Sequence, residues 1–246
     1  MEFYLCKRDD NFKFIGNRKF KCIVLGDEKI EIKYKEYKDN YEYICKMNDL
    51  RECMVQDFVI APFLKSILPK CDIIPVDIKV SSGSGKHNYG KYCGKGPNEK
   101  YWTPDLCIAQ DWRWDNEEDE CPTSYIAVVE IKSVGDSSNY IVSNTKDRKG
   151  KSFRDKTLNY LKDIGNSSVK NEIEAHLSKN KTVLFTDGVT WYFFEKNEKA
   201  LEENKAEMFE LGIRIIDEKK FDHIKWNESE KRYNDLKEKI KALCES

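Results

Sequence analysis

The sequence has no apolar run approaching the roughly 20 residues a membrane-spanning helix requires, no Cys-x-x-Cys pair and no surplus of one charge sign. The first absence predicts a chain that does not enter a membrane. The opening Met-Glu-Phe-Tyr lacks the basic start and apolar stretch of a secretory leader. With 9 cysteines and no secretory signature, reduced thiols and a cytoplasmic location are expected. Cys93, Cys107 and Cys121 are evenly spaced and His87 lies near the first, but the spacing fits no compact zinc or iron–sulfur pattern, so ordinary cysteines are expected. The charges balance, 43 basic against 44 acidic for a net charge of -1. That balance predicts no overall affinity for nucleic acid. Any such contact must come from a local patch, and an acidic metal site would offset a basic binding face. The chain also lacks an internal repeat.

What is present is a core-forming inventory, 39% hydrophobic in 246 residues, enough for one large domain or a domain with an extension. "KFKCIVL" and "KIEIKYKEY" alternate apolar or aromatic residues with charge, the period of half-exposed strands. Residues 1–46 are therefore expected to form an antiparallel β extension. It is either a solvated face with lysines blunting an edge or a surface for nucleic acid or another subunit. A helix is expected from about Asp49 to Leu68, capped by Asn48 or Asp49 and kinked at Pro62. "DIIPVDIKV" reads as a strand.

Residues 81–100 are rich in glycine and serine, with Lys86, Lys91, Lys95, Tyr89 and Tyr92 threaded through. This is a linker or a basic, aromatic-bearing loop that touches a phosphate backbone. Gly85, Gly90 and Lys91 match the start of a phosphate-binding loop, but Tyr92 stands where Ser or Thr is needed. Strands follow at "PDLCIA" and "SYIAVVEIK", joined by an acidic loop read as a solvated hairpin tip. Helices are expected near 151–164 and 170–179. A hairpin turning at Asp187-Gly188 comes next, then a strand at "GIRII" and an amphipathic helix over 227–243. This order predicts an α/β layered fold, a mixed β-sheet flanked by helices. Its expected divisions are the extension at 1–46, a core at 47–200 and a C-terminal strand and helix at 201–246, packed on that core.

The chemistry concentrates at "AVVEIK". Ile126 to Val129 reads as a buried strand, yet Glu130 and Lys132 end it on a common face. Burying such charges is costly unless they are paired or bind a metal. Asp105 follows Pro104 at the start of the preceding strand. If the two strands are neighbours their carboxylates converge, and two carboxylates with water and phosphate oxygens suffice for Mg²⁺. Lys132 on the same face can then position the attacking water, which completes a parts list for phosphodiester hydrolysis.

Pro104-Asp105 followed by Glu130-Ile131-Lys132 after an apolar strand resembles the PD-(D/E)XK nuclease superfamily. Within it, the chain is similar to the N-terminal nuclease domain of type I restriction-enzyme motor subunits and their stand-alone relatives. "ECMVQDFVIAPFLKSIL" matches their glutamate-bearing helix through Glu52 and Pro62, and "TVLFTDGVTWYFF" matches their aromatic strand pair. The family's Gln-x-x-x-Tyr is met by Tyr160, with Lys156 where glutamine is usual. The resemblance implies a restriction-endonuclease-like core and a Mg²⁺- or Mn²⁺-dependent endonuclease acting on DNA in restriction or anti-phage defence. It implies Asp105, Glu130, Glu52 and the Ile131 carbonyl as metal ligands, and Lys132 beside the nucleophile. Lys86, Lys91, Lys95, Lys156 and Tyr160 are the candidate nucleic-acid contacts. RNA is the alternative substrate, because the metal site meets only a phosphodiester. A non-catalytic binding or assembly module is the alternative of a different class. The expected partners are DNA and either a second copy of the chain or a partner subunit.

Overall fold

Strands buried on both faces read as continuous apolar runs, and this chain has several: "LCIA", "IAVV", "TVLF" and "WYFF". In the computed structural model these runs lie side by side. The structure describes residues 31–76, 93–95, 101–112, 124–134, 145–147, 168–196, 206–217 and 220–244. The main sheet comprises β1 (Asp72–Pro75), β4 (Leu106–Gln110), β5 (Ser124–Ile131), β7 (Thr182–Thr186), β8 (Thr190–Glu195) and β9 (Glu207–Glu210), in that spatial order. Every neighbouring pair is antiparallel except β5 and β7, which run parallel. That parallel step needs a crossover, and helix α4 (Ser168–Lys179) lies within it. The protein is thus a mixed α/β fold whose sheet is mostly antiparallel.

Residue alternation divides each strand between two cores. Leu106, Ile108, Val129, Ile131, Trp191 and Phe193 face one side, where they meet α1 (Tyr34–Lys46), the helical segment 52–67 and α5 (Lys231–Ala242). Cys107, Ala109, Val128, Phe185 and Phe194 face the other, against Val169, Ile173 and Leu177 of α4. Among the described residues no helix is long and apolar enough to cross a membrane. Cys93 and Cys107 are buried in the α4-side core. Burial raises both thiols, Cys93 to about 11, so both stay protonated. Cys121 and His87 lie outside the described residues.

The expected β extension over 1–46 is corrected for its last part, since Tyr34–Lys46 is the helix α1. The "KIEIKYKEY" alternation hides a second period: Tyr34, Tyr37, Tyr41 and Ile44 repeat at helical spacing, and all four are buried. Their hydroxyls find partners deep in the fold. Tyr37 donates to the Gly188 carbonyl and Tyr41 to the Asp187 carbonyl, each at 2.6 Å. The helix therefore belongs to the same hydrophobic core as the sheet. Residues 1–30 lie outside the described residues.

The expected helix at 49–68 is present as α2 (Glu52–Val55), a π-helical turn (Gln56–Ile60) and α3 (Ala61–Ile67). Pro62 sits in the first turn of α3. It has no N–H to return to the preceding turn, and the wider π turn just before it absorbs the mismatch. Neither Asn48 nor Asp49 caps this helix. Arg51 is the N-cap, and the Asp49 carboxylate instead pairs with the Arg51 guanidinium at 2.7 Å.

The β7–β8 hairpin turns where expected, with Gly188 at φ 80° in the region that favours glycine. Asp187 Oδ1 accepts from the Val189 and Thr190 amides, both at 2.9 Å. This turn is fully buried under α1 rather than exposed at a tip. The expected strand at "GIRII" is β10 (Gly212–Asp217), which pairs with β11 (Lys220–Trp226) and with the short parallel β6 (Thr145–Asp147) in a second sheet. From the glycine-rich segment, β2 (Gly94–Lys95) pairs with β3 (Tyr101–Trp102). A Cβ at Gly94 would overlap the Ala175 carbonyl of α4, so this position admits only glycine.

Candidate functional site

The antiparallel register opposes Leu106 to Val129, so Asp105 and Glu130 come next to each other at one end of the sheet. Both acids fall on the α4 face, in phase with Cys107 and Val128. The Asp105 amide donates to the Val129 carbonyl at 3.1 Å, and its carbonyl accepts from the Val76 amide at 3.0 Å. The Ile131 amide donates to Asp105 Oδ2 at 2.5 Å. The Asp105 side chain is therefore held by the backbone of the strand that carries Glu130. Ile131 itself turns its side chain into the opposite core.

Glu130 is almost wholly buried, 3% exposed, and each of its oxygens has a partner. Oε1 is paired with Lys132 Nζ. Oε2 lies 3.2 Å from Nε2 of His176, a residue with no exposed surface. Lys132 Nζ has a second carboxylate partner, Glu172 Oε2, at 3.1 Å. The Lys132 amide donates to the Thr186 carbonyl at 2.9 Å, which fixes where the side chain leaves the sheet.

Glu52 opens α2 and is exposed. It lies close enough to act electrostatically on Asp105, Glu130 and Lys132. A hydrogen bond from the Ser133 hydroxyl to the Leu50 carbonyl ties the end of β5 to the approach of that helix. Three sequence-predicted residues, Asp105, Glu130 and Lys132, are thus brought together, with the exposed Glu52 within electrostatic range of them. Lys95 is described only as part of the backbone of β2. Lys86, Lys91, Lys156 and Tyr160 lie outside the described residues, as does the helix expected at 151–164.

The charges are unbalanced. Four carboxylates (Glu52, Asp105, Glu130, Glu172) surround one ammonium. Burial raises the Asp105 carboxyl well above the usual carboxylate range, and the charges of Glu130 and Glu52 add to this against the Ile131 amide and Lys132. Burial pushes Glu130 up to about 8 despite the pull of Lys132, with Glu172 and Glu52 reinforcing the rise. Burial also opposes charge on Lys132, but Glu130 and Glu172 outweigh it and hold the ammonium above the ordinary lysine range. The two rises have different main causes: burial lifts the carboxyls, with neighbouring acids adding to it, whereas the neighbouring carboxylates lift the lysine against burial. Hard carboxylate oxygens are the donors Mg²⁺ and Mn²⁺ select, but among the described residues Asp105, Glu130 and Glu52 do not form a group of ligand atoms within 4.8 Å of one another.

Glu172 and His176 did not emerge from the sequence reading. They stand four residues apart in "NEIEAH", on the face of α4 next to the buried Ile173 and Leu177, and that spacing was the available signal. Burial drives the His176 imidazole down to about 4, so it is neutral. Its Nδ1 has no hydrogen-bond partner among the described residues, so its one contact is through Nε2, which donates to an ionised Glu130 and accepts from a protonated one. Ligand atoms of Glu130, Glu172 and His176 lie within 4.8 Å of one another. The Lys132 ammonium occupies the position between the two glutamates, which makes this trio an ammonium cradle rather than a metal cage. Comparisons of the chain with protein-family models, curated proteins and solved structures found no match.

Proposed function

We propose that the chain is a Mg²⁺- or Mn²⁺-dependent endonuclease with a restriction-endonuclease-like core that hydrolyses phosphodiester bonds of DNA, in restriction or other defence against foreign DNA. The observation that carries this reading is the pair Asp105 and Glu130, side by side on adjoining strands, with Lys132 two residues on and Glu52 close by. The motif order, the antiparallel β4–β5 pair and the parallel step to β7 across α4 support the fold assignment.

Asp105, Glu130 and Glu52 would hold the metal, with the Ile131 carbonyl as a further expected ligand. When bound, such an ion polarises the phosphate and lowers the pKa of the attacking water. Lys132 remains protonated, and the one Nζ–H left by Glu130 and Glu172 is available to the incoming water. The Ile131 amide fixes the Asp105 carboxylate, and the buried wall behind Glu130 excludes water from one side of the reacting phosphorus. DNA approaches from the side of the exposed Glu52.

The test is cleavage of supercoiled plasmid, single-stranded DNA and RNA in Mg²⁺, Mn²⁺ or chelator, by wild type and Lys132→Ala. The expected result is metal-dependent cutting of DNA that falls by about 10²–10³-fold or more in the variant. Cutting of RNA alone would reassign the substrate. Undiminished cutting by Lys132→Ala would reject this active site.

A further inference from the structure

We propose that Glu172 and His176, both on α4, are positioning residues of this site. Glu172 holds the Lys132 ammonium in place, and His176 holds the inner oxygen of Glu130. The inference rests on the nuclease reading above and adds to it two residues from an element that carries none of the motif.

The geometry assigns each a separate task. A lysine side chain has four rotatable bonds, and a single carboxylate partner restrains it to an arc. Two carboxylates on different elements restrain it to a point. Lys132 Nζ has such a pair, Glu130 on its own strand and Glu172 at 3.1 Å on α4. Glu130 is also claimed as a metal ligand, so its hold on the ammonium is shared. Glu172 lies outside the ligand set and serves the lysine alone. The lysine and Glu172 side chains are 15% and 13% exposed, so water competes little for this contact. Displacement of a reacting group by about 1 Å can lower a rate by about 10²-fold.

His176 acts on the other side of the same carboxylate. Its imidazole has no exposed surface, and Nε2 lies 3.2 Å from Glu130 Oε2. With Glu130 ionised, the state a metal ligand requires, and the proton on Nε2, the imidazole donates to that oxygen, which fixes the carboxylate plane and leaves Oε1 toward Lys132. Outer partners of this kind typically change metal affinity or activity by about 10- to 100-fold when removed. The helix is fixed in turn. The Asn180 side-chain amide donates to the His176 carbonyl at 2.9 Å, and Gly94 of β2 abuts the Ala175 carbonyl.

The experiment measures Mn²⁺ binding to the protein alone by calorimetry, together with single-turnover cleavage of plasmid. His176→Leu fills the volume without a donor, and His176→Gln restores one near the Nε2 position. Mn²⁺ binding is expected to weaken about 10- to 100-fold in His176→Leu and to recover most of that in His176→Gln. Glu172→Gln is expected to bind Mn²⁺ like wild type and to lose about 10- to 100-fold in single-turnover rate with KM unchanged. Wild-type Mn²⁺ affinity in His176→Leu overturns the histidine assignment. Loss of Mn²⁺ binding in Glu172→Gln as large as in Asp105→Ala overturns the glutamate assignment and makes the trio a metal site. Asp105→Ala separates the two levels of the argument. If it binds Mn²⁺ like wild type, the nuclease reading itself fails. If it binds weakly while the α4 variants behave as wild type, only the positioning inference fails.

Discussion

Replacing Glu130 with glutamine is expected to stabilise the metal-free protein at alkaline pH while abolishing metal-dependent cleavage. Glu130 titrates near the ordinary 4.5 in the unfolded chain and at about 8 in the fold, driven by burial and by Glu172 and Glu52 against Lys132. Between those values the native state keeps a proton that the unfolded state has released, so stability falls as pH rises through this window and levels off above it. At about 1.4 kcal/mol per tenfold change in proton affinity, the loss has a ceiling of about 5 kcal/mol. Glutamine cannot titrate. Its carbonyl oxygen can still accept from Lys132, and its amide can donate to His176 in the other tautomer. Groups remote from Glu130 cancel in the difference, whereas Asp105 and Lys132, whose titration Glu130 itself raises, also change and are part of the expected gap. Urea unfolding in chelator at pH 5.5, 7 and 8.5 should therefore show Glu130→Gln gaining on wild type as pH rises, by about 2 kcal/mol or more across the range. Mn²⁺ should stabilise wild type most at the upper end, where it no longer competes with the proton. Parallel pH curves for the two proteins would refute the account of the site's charge.

Other perturbations probe the frame around the site. Tyr41→Phe leaves the buried Asp187 carbonyl without the 2.6 Å hydroxyl donor and should cost about 1–3 kcal/mol, read from urea unfolding. Gly188→Ala meets both a φ of +80° and a Cβ only 2.7 Å from the Tyr41 ring. It should cost more than the 1–3 kcal/mol of backbone strain alone, and a melting temperature equal to wild type would contradict the packing of α1 on this turn. Cys71 Sγ and Cys244 Sγ lie 2.8 Å apart, so oxidised glutathione should cross-link the turn just after α5 to the segment after α3. The cross-link should be visible as a peptide pair in mass spectrometry and add about 2–4 kcal/mol. Failure to cross-link would mean that the end of α5 does not sit where described.

How much of this was legible in the sequence depended on range. The acids at Asp105 and Glu130, the β7–β8 turn and the amphipathic α5 are local signals, and their residues carry the pattern without help. The approach to helix α1 carries a strand pattern because charged residues alternate with Ile30, Ile32 and Tyr34 before the tyrosine stripe begins. Its stripe becomes decisive only when Gly188 and Asp187 carbonyls supply hydroxyl partners some 150 residues away in sequence, at separations of 151 and 146. The second sheet was half visible: "GIRII" is apolar, but β6 is three residues that pair in parallel with Arg214 to Ile216, a match no local pattern announces. Glu172 and His176 were legible as a spacing and not as a site. A helical pair four apart becomes chemistry only once Glu130 is known to face that helix.

The fourth carboxylate is the most informative departure from stability. Asp105, Glu130 and Lys132 alone would leave one net negative charge, which a single shared proton could neutralise. Glu172 raises the deficit further at the buried end of the sheet, where like charges repel strongly, and the exposed Glu52 adds to it from the solvent side. A protein selected only to fold would place an apolar side chain at position 172, next to Ile173, because a lysine already paired with Glu130 does not need a second acid. The arrangement is reasonable if the lysine must stay charged and fixed while Glu130 is engaged elsewhere. That division of labour predicts opposite signatures for the two glutamates. Loss of charge at 130 should relieve the fold and abolish metal binding. Loss of charge at 172 should leave metal binding intact and slow the chemical step through Lys132.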